Sequence, residues 1–406
     1  MCFTFYALFS ILLSGRPHQQ VFRPVLNSNR NTIVNRKDQY LIMAGSSFGN
    51  IFRITTWGES HGKGVGVVVD GCPAGLPLRG EDIQQYLNRR KPGQNRFSTP
   101  RKEDDAVEIL SGIFEGRTTG TPISMVVFNK TQRSQDYSEI ASYFRPGHAD
   151  YTFQEKYGFR DYRGGGRSSG RETIGRVAGG AVAARLLEEL GIHVQAYAKA
   201  IGPVQCETID MEEIWNNALF MPDAKAAQAA QEYLNQCMAN KDSAGGIIEC
   251  VADGLPVGLG DPVFEKLSAN LAKAICSIGA VKGFEIGDGF AVSSSNASTN
   301  NDAFHMTSDG RVEKLTNHAG GILGGISDGS RLILRAAIKP TPSVATPQQT
   351  VNLSGEDITC IVKGRHDPII VPRAVVVVEA MTSLVLADAL LMGMSSTMDR
   401  VKKVWN

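Results

Sequence analysis

The stretch at residues 160–173, RDYRGGGRSSGRET, combines four arginines, three consecutive glycines and two adjacent serines. A helical apolar pattern follows it, and Ser169 and Glu172 have the S-x-x-E spacing of a capping box. Guanidinium groups and the free amides of a helix N-terminus favour an anion, which glycine lets the backbone approach closely. The stretch therefore predicts a phosphate-binding loop, with a solvated surface loop as the alternative.

A second basic segment, NRRKPGQNRFSTPRK, covers residues 88–102. Its basic residues are Arg89, Arg90, Lys91, Arg96, Arg101 and Lys102. Phe97 is its only aromatic residue, and the formal net charge of the 406-residue chain is only +1, so a nucleic-acid surface is a poor explanation. A compact ligand with several negative groups suits both basic segments better, although a solvated charge run is the alternative.

Three histidines lie in Gly- and Pro-rich segments, where loops commonly carry functional groups. They are His61 in TTWGESHGKG, His148 in FRPGHADYT and His366, next to Asp367, in KGRHDPIIVPRA. Imidazole titrates near neutral pH and can exchange protons, although each histidine alone is more simply structural. No spacing indicates a metal site. GESHG matches G-x-S-x-G with Ser60 at its centre, so a serine hydrolase is a competing hypothesis. That motif requires a helix after the serine, whereas KGVGVVVDG continues as a strand, which argues against a hydrolase.

The patterns predict an α+β fold with an internal repeat. VVDGCPAGLP (68–77) resembles VADGLPVGLG (251–260), and GIFEGRTTGT (112–121) resembles GILGGISDGS (321–330), in the same order. Helices are predicted over 81–91, 171–190, 223–240, 263–277 and 374–392. The polar segment 291–317 is expected to be a long mobile loop.

The first 42 residues are expected to be an unstructured leader or the product of a start codon assigned too early. Residues 43–406 are expected to form a single domain. Their apolar run, CFTFYALFSILL, is too short to span a bilayer and lacks the flanks of a secretory signal. Their Arg- and Asn-rich remainder faintly suggests a transit peptide. The seven scattered cysteines fit a reducing compartment, and we expect a cytoplasmic protein.

Taken together, these segments resemble the chorismate synthase family. The resemblance rests on GESHG, RRKPGQNR, KTQRSQDYS, FRPGHADYT, DYRGGGRSSGRET, NHAGGILGGIS, KPTPS and GRHDP with VPRA, and it runs from about Met43 to about residue 395. It implies a β-α-β sandwich, a homotetramer and a shikimate-pathway lyase that requires reduced FMN. The reaction implied is the 1,4-anti elimination of phosphate from 5-enolpyruvylshikimate 3-phosphate, which gives chorismate.

The resemblance also implies roles for individual residues. His61 matches the histidine thought to protonate the leaving phosphate, His148 the one thought to protonate the flavin, and Asp367 an aspartate thought to act in proton removal with the flavin. Positions matching flavin contacts are Arg167, Ser168, Ser169, Gly279, Ala280, Gly324, Lys339, Pro340, Thr341, Pro342, Ser343 and Arg365. Positions matching substrate or NADP contacts are Ser60, Arg90, Arg96 and Arg373. Some members have Asn at position 279 and many have Ser at position 342, which weakens side-chain contacts there.

The resemblance leaves the source of reduced flavin open. Some members reduce it with NADPH, whereas others depend on a separate flavin reductase, and no feature of this sequence decides between them. A phosphate-ligand binding protein or a flavin carrier without catalysis is the rival from another class. The presence of His61, His148 and Asp367 favours catalysis.

Overall fold

The computed structural model describes residues 45–99, 103–130, 139–362 and 367–405, which belong to one compact unit that begins at Gly45. The leader predicted over residues 1–42 lies outside the described residues. The leader and the boundary at residue 43 therefore stay predictions.

Among its described residues, the first half of the chain has seven strands and three helices. They are β1 (Ser47–Phe48), β2 (Arg53–Gly58), β3 (Gly64–Asp70), α1 (Gly80–Arg90), β4 (Val107–Ile109), β5 (Ile113–Phe114), β6 (Arg117–Thr118), β7 (Ile123–Phe128), α2 (Asp150–Tyr157) and α3 (Thr173–Glu188). Short 3-10 turns lie at Glu139–Ser142, Gly166–Ser168 and Gly170–Glu172.

The remaining elements begin at residue 193. They are β8 (His193–Ile201), β9 (Val204–Gln205), α4 (Ala224–Ala239), β10 (Gly246–Asp253), α5 (Leu267–Cys276), β11 (Val281–Ile286), α6 (Ala297–Asn300), β12 (Phe304–Met306), β13 (Val312–Lys314), β14 (Ile322–Leu323), β15 (Ile326–Ser327), β16 (Leu332–Ile338), β17 (Gln348–Val351), β18 (Asp357–Cys360), α7 (Val371–Met392) and α8 (Met398–Trp405). Further 3-10 turns lie at Glu213–Trp215, Gly289–Ser294 and Gly393–Ser395.

The two halves repeat one topology. The first sheet has the order β1-β2-β3-β7-β4 and the second has the order β9-β8-β10-β16-β11, with antiparallel pairing throughout. In each half a central strand (β3 or β10) is followed by a helix (α1 or α5) and then by an outer strand (β4 or β11). A hairpin of two very short strands comes next, and the last strand (β7 or β16) pairs with the central one. The repeated GLP and GxxxG segments are the turns at these corresponding positions, so the structure has the predicted repeat.

Helices α3 and α7 pack against each other between the two sheets. A Cβ on Gly180 of α3 would lie 2.3 Å from the Cβ of Ala380 on α7, and one on Gly179 would lie 2.9 Å from Ile54 of β2. Small residues are therefore required where α3 passes between a sheet and a helix. This explains why α3 is buried on nearly all sides, whereas the sequence predicted a single apolar face. The α+β sandwich is confirmed.

The predicted helices agree with α1, α3, α4, α5 and α7 to within a few residues. The largest differences are at the N-termini of α5 and α7, which begin at Leu267 and Val371. The expectation of a long loop over 291–317 is wrong, because this segment contains a 3-10 turn, α6 and the β12–β13 hairpin. Its base is fixed by Lys314, whose buried ammonium donates to Asp302 and Asp328 at 3.1 and 2.8 Å.

Among the described residues, one segment, Val371–Ser395, is long and apolar enough to cross a membrane. Of its most apolar window, 83% is buried inside the fold. Its apolar composition is explained by its central position between α3, α5 and the second sheet.

Candidate active site

His61 lies in a tight turn between two antiparallel strands, β2 and β3. The Ser60 hydroxyl lies 3.2 Å from His61 Nδ1 and donates to the Gly164 carbonyl at 3.3 Å. Because the hydroxyl has one hydrogen, it accepts from His61 Nδ1–H, which places the lone pair of the neutral imidazole on Nε2. Ser60 is buried, and its turn joins two strands rather than a strand and a helix, which removes the support for a hydrolase elbow.

The glycine loop, residues 160–168, lies directly on the His61 turn. A Cβ on Gly164 would lie 2.3 Å from His61 Cε1, and one on Gly165 would lie 3.9 Å from the guanidinium of Arg145. The loop therefore contacts both the turn that carries His61 and the segment that carries His148.

All four arginines of the opening stretch have acceptors within the protein. Arg160 contacts Asp150, Arg163 contacts Asp161, and Arg171 contacts Asp105. The Arg167 guanidinium donates to the Thr56 and Gly58 carbonyls of β2 at 3.2 and 3.1 Å. These side chains hold the loop in place, so any anion bound by the loop would rely more on its backbone amides than the sequence suggested.

The predicted capping box does not form. The Ser169 hydroxyl accepts from the Arg171 amide at 3.3 Å, which caps a 3-10 turn ahead of α3. Glu172 accepts instead from Thr56 and from Arg176, at 3.1 and 2.8 Å. Thr56, from β2, and Arg176, one helical turn further along the chain, therefore occupy the carboxylate that the capping box would have used. Ser168 is exposed, and its hydroxyl donates to the Gly165 carbonyl at 2.7 Å.

Gly164→Ala is expected to reduce turnover strongly. The added methyl would overlap the His61 imidazole, and the residue has a φ of +74°, which disfavours any Cβ. We expect a loss of about 100-fold in kcat, because small displacements of a reacting group have effects of this size. Gly158→Ala, at a φ of +77° with open space around it, is the matched control and should keep near-normal turnover.

His148 lies in a loop that packs on the Lys339–Ser343 run. Its Nδ1 donates to the Pro146 carbonyl at 2.9 Å, so Nε2 accepts from the Ser343 hydroxyl, also at 2.9 Å. Lys339 Nζ donates to the Gly147 carbonyl at 2.7 Å. The Arg145–Asp150 pair, at 2.8 Å, closes the loop. The sequence-predicted His148 and the Lys339–Ser343 run are thus brought together.

The stability of the protein should fall at acidic pH because of His148. Burial and then the charge of Arg145 lower the pKa of His148 from 6.5 to about 4. Between these pH values the unfolded chain binds the proton more readily than the folded one, so the free energy of unfolding falls as the pH is lowered. We expect His148 to account for about 2 kcal/mol of this loss.

Urea unfolding of the wild type and of His148→Asn at pH 7 and at pH 4.5 measures this contribution. The variant should lose less stability between the two pH values than the wild type. An equal loss in both proteins would contradict the lowered pKa.

Arg90 and Arg171 share a buried carboxylate, that of Asp105. Arg90 Nη2 and Arg171 Nη1 donate to it at 2.6 and 3.0 Å, and its side chain is fully buried. Burial alone would raise the pKa of Asp105, but the charges of the two arginines hold it below its usual range. Arg171 also contacts Glu103. Buried charges of this kind require such pairing.

Asp367 belongs to the same network. Its carboxylate accepts from the Thr99 amide at 2.6 Å and from Arg373 Nη1 at 2.7 Å. Arg373 Nε in turn donates to the Arg90 carbonyl at 3.0 Å, and Arg90 Nη1 donates to the Gly170 carbonyl at 3.3 Å. Asp367, Arg373 and Arg90 are therefore connected by direct contacts to the stretch that also packs on His61.

Arg96 differs from Arg90 because it is exposed, with its guanidinium 4.7 Å from the centre of the Phe97 ring. Phe97 and Arg373 line one cleft, and Arg171 and Lys130 line another. Neither of these two clefts is lined by His61 or His148, so the contacts, rather than a single cleft, connect the candidate residues. Arg365, His366, Arg101 and Lys102 lie outside the described residues.

Beyond the loop residues Arg167, Ser168 and Ser169, the described residues predicted to contact a flavin fall into two groups. Ala280, with a φ of +74°, accepts from the Lys339 amide at 2.9 Å, so residues 279–280 adjoin the Lys339–Ser343 run. Gly324 lies in the turn between β14 and β15, ahead of the start of β16, whereas Lys339 follows its end. A seven-residue strand spans roughly 20 Å. Within one chain, Gly324 is therefore not brought together with the first group.

The first group fits a polar ligand. The Thr341 hydroxyl oxygen is buried and has no hydrogen-bond partner among the described residues. A Cβ on Gly279 would meet nothing within 4 Å, so there is open space beside it. Pro340 and Pro342 flank Thr341 and give this run a restricted backbone. A buried hydroxyl that lacks a partner among the described residues is suited to a ligand group.

Sequence reasoning missed several residues that position these groups. Asp105 and Asn129 belong to no motif, and only their place in the fold gives them buried arginines as partners. Asp105 could have been suspected from the acidic EDDAVE segment that follows the basic one. Nothing local in the sequence indicated Asn129.

The fold and these contacts define an enzyme-like basic site on an α+β sandwich, suited to a small polyanionic ligand. The sequence profile of the family described as "Chorismate synthase" matches residues 52–391. Two curated relatives named chorismate synthase are similar over most of this chain. The relative from Agathobacter rectalis is 70% identical over 361 residues, covering 88% of this chain and 98% of its own. The relative from Lachnoclostridium phytofermentans is 68% identical over 365 residues, covering 89% and 100%.

A solved structure titled "Crystal Structure of Chorismate Synthase" is similar in fold, with a TM-score of 0.69 and 31% sequence identity, over 88% of this chain and 97% of that one. The chain belongs to the chorismate synthase family. This membership confirms the predicted lyase function in the shikimate pathway of aromatic amino acid biosynthesis.

Proposed function

We propose that this chain eliminates phosphate from 5-enolpyruvylshikimate 3-phosphate at the site around residues 160–168, which gives chorismate and inorganic phosphate. The observation that carries the proposal is the contact of this loop with both histidine segments. Gly164 packs on His61, and Gly165 adjoins the Arg145 guanidinium of the His148 segment. One ligand bound against this loop would then be within reach of two imidazoles.

His61 and the basic residues act on the leaving phosphate. Nδ1–H of His61 is held by Ser60, so His61 must first gain a proton on Nε2, and the imidazolium can then give that proton to the phosphate as its charge grows. Arg96 is exposed and can meet an incoming anion. Arg90 is committed to Asp105, but its Nε is buried without a partner among the described residues, which fits a further acceptor supplied by a ligand.

The Lys339–Ser343 run, residues 279–280 and the loop serines Ser168 and Ser169 are proposed to hold reduced FMN, together with Arg365. The cofactor supplies electron density that stabilises the substrate as its C–O bond breaks. His148 is neutral at pH 7 and accepts from Ser343, so it must gain a proton before it can donate one. A bound anion beside it would raise its pKa towards neutrality.

Asp367 and Arg373 are proposed to act on the substrate side. The carboxylate of Asp367 accepts from the Thr99 amide and from Arg373, and these two donors orient it for the role of base. Arg373 is bound to Asp367 and to the Arg90 carbonyl, so its contribution is to orient both groups.

The chain is further proposed to act as a cytoplasmic homotetramer. Its flavin is reduced either by NADPH bound at this site, where Ser60, Arg90, Arg96 and Arg373 match the family's contacts, or by a separate flavin reductase. Purified protein given NADPH as the sole reductant under anaerobic conditions distinguishes the two sources.

An anaerobic assay with FMN, dithionite and substrate tests the proposal. Release of phosphate together with chorismate is expected. Flavin binding without any release would favour the rival, a flavin carrier without catalysis.

A further inference from the structure

Asn129 follows the end of β7 and contacts the turn that carries His61. Its side-chain amide donates to the Glu59 carbonyl at 3.0 Å and to the Gly62 carbonyl at 2.9 Å. The Gly62 amide closes the same turn by donating to Glu59 at 3.1 Å. The two Asn129 bonds therefore bridge the residues on either side of Ser60 and His61.

The amide oxygen of Asn129 contacts the cluster of buried arginines. Its Oδ1 accepts from Arg171 Nε at 2.5 Å, and the same guanidinium donates to Asp105, which is shared with Arg90. The orientation of the amide follows from these partners, since carbonyls require the NH₂ end and the guanidinium requires the oxygen end. Asn129 is thus the link between the Arg90–Asp105–Arg171 cluster and the His61 turn.

We propose that Asn129 is a positioning residue for His61. It fixes the backbone on both sides of the histidine, while Gly164 limits the space on the other side of the imidazole. Only an amide of this length offers two donors to the turn and one acceptor to Arg171. This inference rests on the proposed function of His61. The effect of Asn129 on the structure of the His61 turn can be tested without flavin or substrate.

Asn129→Asp is the most informative change because it keeps the shape and the acceptor for Arg171 but removes both donors. The carboxylate would face the Glu59 and Gly62 carbonyls, which it repels. If the contact to Arg171 were what mattered, the variant should resemble the wild type. Asn235→Asp makes the same chemical change at an exposed position of α4 and is the matched control.

Two measurements are needed. The first is hydrogen–deuterium exchange of the peptide covering residues 59–63 in the protein without flavin, which we expect to become about tenfold faster in Asn129→Asp. The second is steady-state turnover of the holoenzyme, in which kcat should fall about 10- to 100-fold with the substrate KM changed less than about threefold. Asn235→Asp should change neither. If Asn129→Asp fails to fold, Asn129→Ser, which retains one donor, is measured in its place.

The two measurements distinguish an effect of Asn129 on the His61 turn from an effect on catalysis. Faster exchange with reduced kcat supports the proposal, whereas unchanged exchange overturns it whatever the turnover. Faster exchange with unchanged kcat also overturns it. In that case the turnover of His61→Ala shows whether the proposed role of His61 fails as well.

Discussion

Asp105→Asn is expected to lower the free energy of unfolding by about 3–5 kcal/mol, the range found when one partner of a buried ion pair is removed. The carboxylate of Asp105 is fully buried between two guanidinium groups that are themselves 2% and 8% exposed. The neutral amide would leave Arg90 as a buried charge without a carboxylate partner among the described residues. Arg171 would keep its contact with Glu103.

Asp253→Asn is the matched control for this change. Asp253 pairs with Arg331 at 2.7 Å, but both side chains are about half exposed. Exposed pairs contribute about 0–1 kcal/mol, so this variant should be nearly as stable as the wild type. Chemical denaturation of both variants at pH 7 measures the difference, and equal losses would contradict the special role of burial at Asp105.

His148→Ala is expected to reduce kcat about 10²- to 10⁴-fold, the contribution typical of a general acid or base. The flavin should still bind, because the neutral imidazole contacts the Lys339–Ser343 run through a single bond to Ser343. Loss of one such bond weakens binding by about tenfold at most. Turnover and flavin titration of the same preparation separate the two effects.

His305→Ala, on the exposed strand β12, serves as the control for this variant and should behave as the wild type. Retention of normal turnover in His148→Ala would remove His148 from the mechanism. A parallel loss of flavin binding and turnover would instead make it an anchor.

Much of the fold could be predicted because its determinants are local. Helices α1, α4 and α5 have clear apolar periodicity, α3 and α7 are apolar on nearly all sides, and the repeated turn sequences mark corresponding positions in the two halves. The inserted hairpin β12–β13 could not be predicted, because its few exposed residues carry no periodicity. Its base is held by the buried Lys314, which pairs with Asp302 and Asp328.

The sequence indicated which residues belong to the candidate site, but it indicated only some of the contacts that these residues make. The capping box at Ser169 and Glu172 was wrong because Thr56 of β2 and Arg176, four residues further along the chain, bind Glu172. The arginines of residues 160–173 were expected to face a ligand, yet they bind Asp150, Asp161, Asp105 and the backbone of β2. Such choices depend on which acceptors the fold brings near, and local sequence does not encode them.

Release of inorganic phosphate in a single anaerobic turnover, with reduced FMN and enzyme in excess over substrate, tests the central claim most directly. One phosphate per substrate is expected for the wild type and for His193→Ala, the replacement of an exposed histidine. Release at least about 100-fold slower is expected for His61→Ala and for Asp367→Asn. No release from the wild type, or equal rates in all four proteins, would contradict a single site built around the loop at residues 160–168.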